Sequence, residues 1–133
     1  MWLLDTNLCI YLIKKKPERV LQRLRALDIS TVAVSSITVA ELQYGVAKSS
    51  RPEQNALALA ALLAPLVVLP FDDDAAAVYG VVRAELERTG TPIGSMDLLI
   101  AAHALALGRT VVTDNTREFA RVAGLKVENW AVE

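Results

Sequence analysis

The sequence predicts an α/β fold, a central parallel sheet of about four or five strands with helices on both faces, and three observations predict it. Short apolar or β-branched runs at Trp2 to Leu4, Thr31 to Val34, Leu66 to Leu69 and Thr110 to Thr113 alternate with longer stretches of helical periodicity. Two of those runs end in matching polar clusters, Asp5-Thr6-Asn7 and Asp114-Asn115-Thr116. The 133 residues are 53% hydrophobic, enough for one core without staples, so residues 1–133 are expected to form one domain.

Trp2 to Leu4 suits a strand covered on both faces, and Asp5-Thr6-Asn7 is turn and N-cap chemistry before a helix over Leu8 to Ile13. Asp5 is thereby placed at the carboxyl end of a strand, where open α/β sheets hold their ligands. Leu8, Ile10, Tyr11, Leu12 and Ile13 carry more apolar surface than two turns bury on one face, which fits either an interface or the core. Lys14-Lys15-Lys16 and a helix from Pro17 follow, its Val20, Leu21, Leu24 and Leu27 at helical spacing and Arg19, Arg23 and Arg25 between them. This most basic stretch reads as a solvated face or as a phosphate track, with Lys14, Lys15, Lys16 and Arg19 as the contacts.

Thr31 to Val34 is the second strand, with Ser35-Ser36 capping a helix over Ile37 to Val46. Glu41 is the only ionised residue between Ser35 and Ala47. A helix after Arg51-Pro52 runs to Leu63 and reads as a buried helix; the strand Leu66 to Leu69 comes next. Asp72-Asp73-Asp74 opens an amphipathic helix to about Thr89, where the helix dipole favours capping over metal binding.

Ser95 is expected to cap a helix over Met96 to Leu107, closed by Gly108. Asp97 is the sole formal charge from Gly90 to Gly108, and His103 on the same helix reads as a packed side chain. After the strand at Thr110 to Thr113, a short helix over Arg117 to Val122 and a closing strand over Lys126 to Trp130 complete the chain.

Several functions are excluded early. The apolar run from Ala56 to Phe71 holds Pro65 and Pro70 and falls short of the roughly 18 residues of a membrane span. No basic region with an apolar run and cleavage site opens the chain, and the single Cys9 forms no internal disulfide, so a cytoplasmic location is expected. A net charge of −1 gives no argument from overall charge for or against nucleic acid.

Isolation is the informative pattern. Asp5, Glu41 and Asp97 each stand alone in apolar segments, and Asp5 and Asp114 each follow a strand. Brought to one sheet edge, such carboxylates repel until their pKa values rise or a cation neutralises them. An all-oxygen set favours Mg²⁺ or Mn²⁺ over zinc, and ions of that kind act on phosphoryl oxygens. Cleavage through a ribose 2′-hydroxyl usually takes a pair of acid and base groups, commonly histidines, and this chain has only His103.

Leu4-Asp5-Thr6-Asn7, Ser36-Ile37-Thr38-Val39-Ala40-Glu41-Leu42, Ile93 to Ala104 around Asp97, and Val112-Thr113-Asp114-Asn115-Thr116-Arg117-Glu118-Phe119 together resemble PIN domains. More narrowly they resemble the VapC-type toxins of bacterial toxin-antitoxin pairs, over nearly the whole chain. The resemblance implies a PIN-like nuclease domain: a Mg²⁺- or Mn²⁺-dependent endoribonuclease with tRNA as the common target class. Asp5, Glu41 and Asp97 match the family's metal-binding acids. For the fourth position, many PIN domains carry an acid where this chain has Asn115; either Asp114 substitutes for it, or Asn115 orients water or metal as an amide. Thr6, Asn7, Ser95, Thr113, Asn115 and Glu118 are placed around these acids, Thr6, Ser95 and Thr113 serving as orienting hydroxyls or simply as caps and turn residues. The resemblance also implies a homodimer and a VapB-like antitoxin that inserts an arginine among the acids. The competing reading is a non-catalytic RNA- or partner-binding α/β module whose acids receive a basic tail.

Overall fold

The structure, a computed structural model, describes residues 1–132. Five strands form one sheet in the order β3-β2-β1-β4-β5, with every neighbouring pair parallel. They are β1 Trp2–Leu4, β2 Val32–Ser35, β3 Val67–Leu69, β4 Thr110–Val112 and β5 Val127–Glu128. Between them run α1 Thr6–Lys14, α2 Glu18–Arg25, α3 Ser36–Ala47, α4 Pro52–Leu63, α5 Asp73–Arg88, α6 Ser95–Leu107 and α7 Thr116–Phe119.

Alternation along the strands splits the core in two. Leu4, Val34 and Val112 join Leu8, Leu12, Val20 and Leu59 on the face covered by α1, α2, α3 and α4. Leu3, Ala33 and Val111 join Leu86, Ile100, Ala104 and Phe119 on the face covered by α5, α6 and α7. The chain steps outward from β1 to β2 and β3, then returns to the other flank of β1 as β4. The topological switch therefore lies between β1 and β4, and the residues after both strands, Asp5 and Thr113, are buried there.

Several element boundaries differ from the sequence reading. Helix α1 starts at Thr6 because Asp5 is its N-cap, the carboxylate accepting from the Leu8 amide at 2.9 Å. Helix α6 begins at Ser95 itself: Gly94 is the N-cap and makes no side-chain capping bond, so Ser95 is not the cap. The last helix stops at Phe119 and the last strand shrinks to Val127–Glu128. The Asp72 cap is as expected, accepting from the Ala75 amide at 3.0 Å.

Helix α4 is not buried all round, although Leu62 and Leu63 at its end are partly buried against the core. Only Leu59 is fully enclosed in that helix, and Leu57 is 74% exposed. A helix apolar all round reads as buried from sequence, but α4 packs only one stripe inward against α1 and α3. The apolar excess of α1 is absorbed mainly as core: Leu8, Cys9 and Leu12 are buried, with Ile10, Tyr11 and Ile13 packed against them. Among the described residues, no helix is long and apolar enough to cross a membrane.

These burials set a test. Leu8→Ala should destabilise the chain by about 2–5 kcal/mol in urea unfolding, the range for a truncated core leucine, whereas Leu57→Ala should stay within about 0.5 kcal/mol of the parent. Equal losses at both positions would contradict the packing described.

Candidate functional site

Four segments meet at the carboxyl edge of the sheet over the β1/β4 switch. β1 delivers Asp5, α3 brings Glu41, the first turn of α6 brings Asp97, and the turn after β4 brings Asp114, Asn115 and, on α7, Glu118. Asp5 is 2% exposed. Its carboxylate is held by the Leu8 amide and the buried Thr113 hydroxyl, but burial wins: its pKa is pushed up from 3.8 to about 7, with the charges of Asp114 and Asp97 adding to the rise. Asp97, half-buried, is raised for the same first reason, and then by the charges of Glu118, Glu41 and Asp114. The acids widely separated in sequence thus share one electrostatic neighbourhood.

Each acid is met by a neutral donor. Thr6 donates its hydroxyl to Glu41 Oε1 at 2.6 Å. Asn7 donates to Asp114 Oδ1 at 3.2 Å, and the Tyr11 phenol to Asp114 Oδ2 at 2.5 Å. The Asn115 amide donates to Asp97 Oδ2 at 3.0 Å and also to Glu118 Oε2. Glu118 Oε1 accepts from the Gly94 amide at 3.3 Å, tying α7 to the entry of α6. Thr113 Oγ1 accepts from the Asn115 backbone amide at 2.9 Å, which shapes the turn after β4.

The expected residues are therefore assembled, with three exceptions. Ser95 is exposed and lines a cleft against Tyr79 and Arg83 of α5; among the described residues it makes no hydrogen bond to the acids. Lys15 and Lys16 are exposed just past the far end of α1, whereas Lys14, in its last turn, lines a groove together with Thr6 and Glu41. Arg19 stands apart too, lining a cleft with Arg23, Glu128 and Trp130.

Tyr11 is the residue that sequence reasoning misses, since it reads there only as apolar surface. The signal was its spacing of four from Asn7, which sets both on one helix face beside a strand-end acid. His103 is a packed residue, as expected. It is buried, its Nδ1 lies 2.8 Å from the Ser35 hydroxyl, and the ring also bonds to the Pro70 carbonyl, locking α6 to the ends of β2 and β3. Burial pushes its pKa down, and it faces Phe71 edge-on instead of the acids. The Cys9 thiol is buried and raised by burial, which leaves it inert.

Among the described residues, no basic side chain forms an ion pair with these acids. Nor do any three acidic, histidine or cysteine side chains there stand close enough to form a ready cage for an ion. The carboxylates converge without touching, as like charges separated by neutral donors must. The donor set is nevertheless that of a hard divalent cation: carboxylate and hydroxyl oxygens, one carboxylate deeply buried with no cation of the described chain paired to it.

The free acids dictate a pH effect on stability. Asp5 holds its proton more tightly folded than unfolded, so its contribution to stability is complete below 3.8 and is lost as pH rises to about 7. In EDTA, Asp5→Asn keeps the cap acceptor and removes the buried charge. It should therefore be more stable than the parent at pH 8, by on the order of 3 kcal/mol, and equal to it at pH 3.5. Urea midpoints that coincide at pH 8 would show that the buried charge costs nothing.

Comparison with known proteins agrees with this geometry. The PIN domain family model matches residues 2–125. The tRNA(fMet)-specific endonuclease VapC of Salmonella typhimurium is 46% identical over 129 residues, 97% of either chain. Ribonuclease VapC2 of Rickettsia felis is 46% identical over 131 residues, 98% of either chain. In the crystal structure of VapBC2 from Rickettsia felis bound to a DNA fragment from their promoter, the matching chain superposes with a TM-score of 0.92 at 45% identity, covering 97% of this chain and 98% of that one. The strand-end acids, the sheet order and these matches lead to one conclusion: the chain belongs to the PIN-domain family, among the VapC ribonucleases of toxin-antitoxin pairs.

Proposed function

We propose that the chain is a Mg²⁺- or Mn²⁺-dependent endoribonuclease whose working site is the cluster of Asp5, Glu41, Asp97 and Asp114. The observation that carries this reading is the convergence of acids around Asp5 and Asp97: both carboxyls are raised by burial and then by neighbouring acids, with no ion pair among the described residues to offset them. Asp5, Asp97, Glu41 and Asp114 would hold the ion, with Glu118 drawn in beside Asp97 through Asn115. When bound, the ion polarises a phosphodiester and lowers the pKa of a water.

The remaining work falls to the chain itself. Thr6 orients the Glu41 carboxylate, Thr113 and the α1 backbone orient Asp5, and Asn115 holds Asp97. Asp97 lies in the first turn of α6, whose dipole favours the ionised form. Asp5 buries its carboxylate against Leu8 and the strand ends, keeping bulk water from one side of the site.

The target class is proposed to be tRNA, supported by the tRNA(fMet)-specific endonuclease relatives from Salmonella typhimurium and Shigella flexneri. A small VapB-like antitoxin is proposed to silence the enzyme in the cytoplasm by setting an arginine among the acids. A groove of about 310 Å³ running from Thr6 and Glu41 past Ile10, Ile13, Lys14, Leu42 and Leu59 supports this reading as a place for its apolar part. A homodimer is proposed as the working form, consistent with the uncovered apolar residues of α4 and β3, Leu57, Val67 and Val68.

Purified chain with Mn²⁺ should cut RNA, and Asp97→Asn should lower the rate at least about a hundredfold while its circular dichroism stays that of the parent. Activity should rise with pH as ion displaces proton, with an apparent pKa owned by the cluster and by no single residue. A parent that cuts no RNA at any Mn²⁺ concentration and takes up no metal in calorimetry would leave the non-catalytic binding module as the better account. Reversing Lys14, Lys15 and Lys16 to Glu should weaken RNA binding and flatten its salt dependence, by about 0.7 in log-log slope for each phosphate no longer neutralised. An unchanged slope removes the far end of α1 from the substrate path.

A further inference from the structure

Tyr11 stands four residues after Asn7 on α1, so both side chains leave the same face of the helix. They reach the same carboxylate. Asn7 donates to Asp114 Oδ1 at 3.2 Å and the Tyr11 phenol to Asp114 Oδ2 at 2.5 Å, across more than 100 residues of sequence. The ring packs against the core around Leu8 and Leu12, so the phenol is aimed from a fixed base. An ionised carboxylate offers about four lone-pair sites, and one donor on each oxygen sets its plane while leaving a site on each for another ligand. Neutral outer groups orient ligating carboxylates in this way.

The neighbouring residue is turned elsewhere. The Asn115 amide donates to Asp97 and Glu118, towards α6 and α7. Among the neighbouring charges acting on Asp5, that of Asp114 comes first.

We infer that Tyr11 is a positioning residue for phosphodiester cleavage: with Asn7 it fixes the Asp114 carboxylate beside Asp5, and so makes Asp114, and not Asn115, the fourth acid of the site. This rests on the reading of the cluster as a divalent-ion site. Tyr11 acts through Asp114 alone, so removing its hydroxyl should matter only while Asp114 is a carboxylate.

The test uses the full chain with Tyr11→Phe, Asp114→Asn and the double variant, titrated with Mn²⁺ by calorimetry beside urea unfolding and RNA cleavage. Tyr11→Phe keeps the packed ring, so its unfolding midpoint should match the parent. Its Mn²⁺ affinity should fall about tenfold, the lower end for loss of an orienting group. Cleavage by this variant should be restored by raising Mn²⁺, with KM for RNA unchanged. Asp114→Asn should weaken affinity at least as much, and the double variant no more than Asp114→Asn. Parental Mn²⁺ affinity in Tyr11→Phe, or a deficit that persists undiminished in the Asp114→Asn background, overturns the inference. Affinity destroyed by Asp97→Asn but untouched by Asp114→Asn overturns it while leaving the ion site standing. A parent that takes up no Mn²⁺ sinks both.

Discussion

Everything at the acidic edge depends on a carboxylate that is buried because a strand ends there. β1 lies between β2 and β4 in the parallel sheet, so its residues must be apolar on both faces, and Leu3 and Leu4 are fully enclosed. Asp5 is the next residue, still inside the fold, and it pairs with the donors that the strand ends offer: the amide of Leu8 at the start of α1 and the hydroxyl of Thr113 at the end of β4. Capping α1 and burying an acid are therefore one event. Because Asp5 fixes where α1 begins, it also fixes where Thr6, Asn7 and Tyr11 point, and those three supply the donors for Glu41 and Asp114.

The site is consequently organised by neutral hydrogen-bond donors. A lysine or arginine among the acids would form ion pairs in a half-buried setting and lower the carboxyls, leaving little affinity for a dication. Threonine, asparagine and tyrosine orient the same oxygens without discharging them. The cluster therefore keeps its negative potential, which an approaching cation would meet undiminished. Among the described residues none of the basic side chains forms an ion pair with it, although Lys14 lines the groove that reaches Glu41. Arg23 bonds Glu128 at 3.0 Å and stands over the Trp130 ring, and the lysine run lies at the opposite end of α1 from Asp5.

Much of this was legible in the chain because each signal was local. An acid after an apolar triplet marks a strand end, and a lone acid in an apolar helix marks a group with something to face; Asp5, Glu41, Asp97 and Asp114 follow from that. The sheet direction follows from alternation of strands and helices, since parallel strands need crossovers. What stayed hidden depends on relations between distant segments. Tyr11 reads as apolar until β4 is placed beside α1, and the partners of Glu118, Gly94 and Asn115, appear only once α6 and α7 are brought together. The exposed face of α4 could not be read at all, because its composition says what one stripe buries and nothing about what covers the other. Ser95 failed for a smaller reason: Gly94 adopts the cap conformation, shifting the serine inside the helix.

The turn after β4 explains why adjacent positions, 114 and 115, both look like homes for the last acid. The Thr113 amide still bonds the Glu128 carbonyl at 3.0 Å, but the chain then bends at Asp114, its turn closed by the Asn115 amide on the Thr113 hydroxyl, and the side chains at 114 and 115 go to different partners. Asp114 faces α1 and meets Asn7 and Tyr11, whereas Asn115 faces α6 and meets Asp97 and Glu118. An acid at 115 would stand against Asp97 and Glu118 at once, two like charges with no donor left between them. The amide at 115 separates that pair, and the carboxylate at 114 sits where two donors await it. In this chain the two positions are therefore not interchangeable: the acid lies on the side where α1 can hold it, because the other side already carries its share of charge.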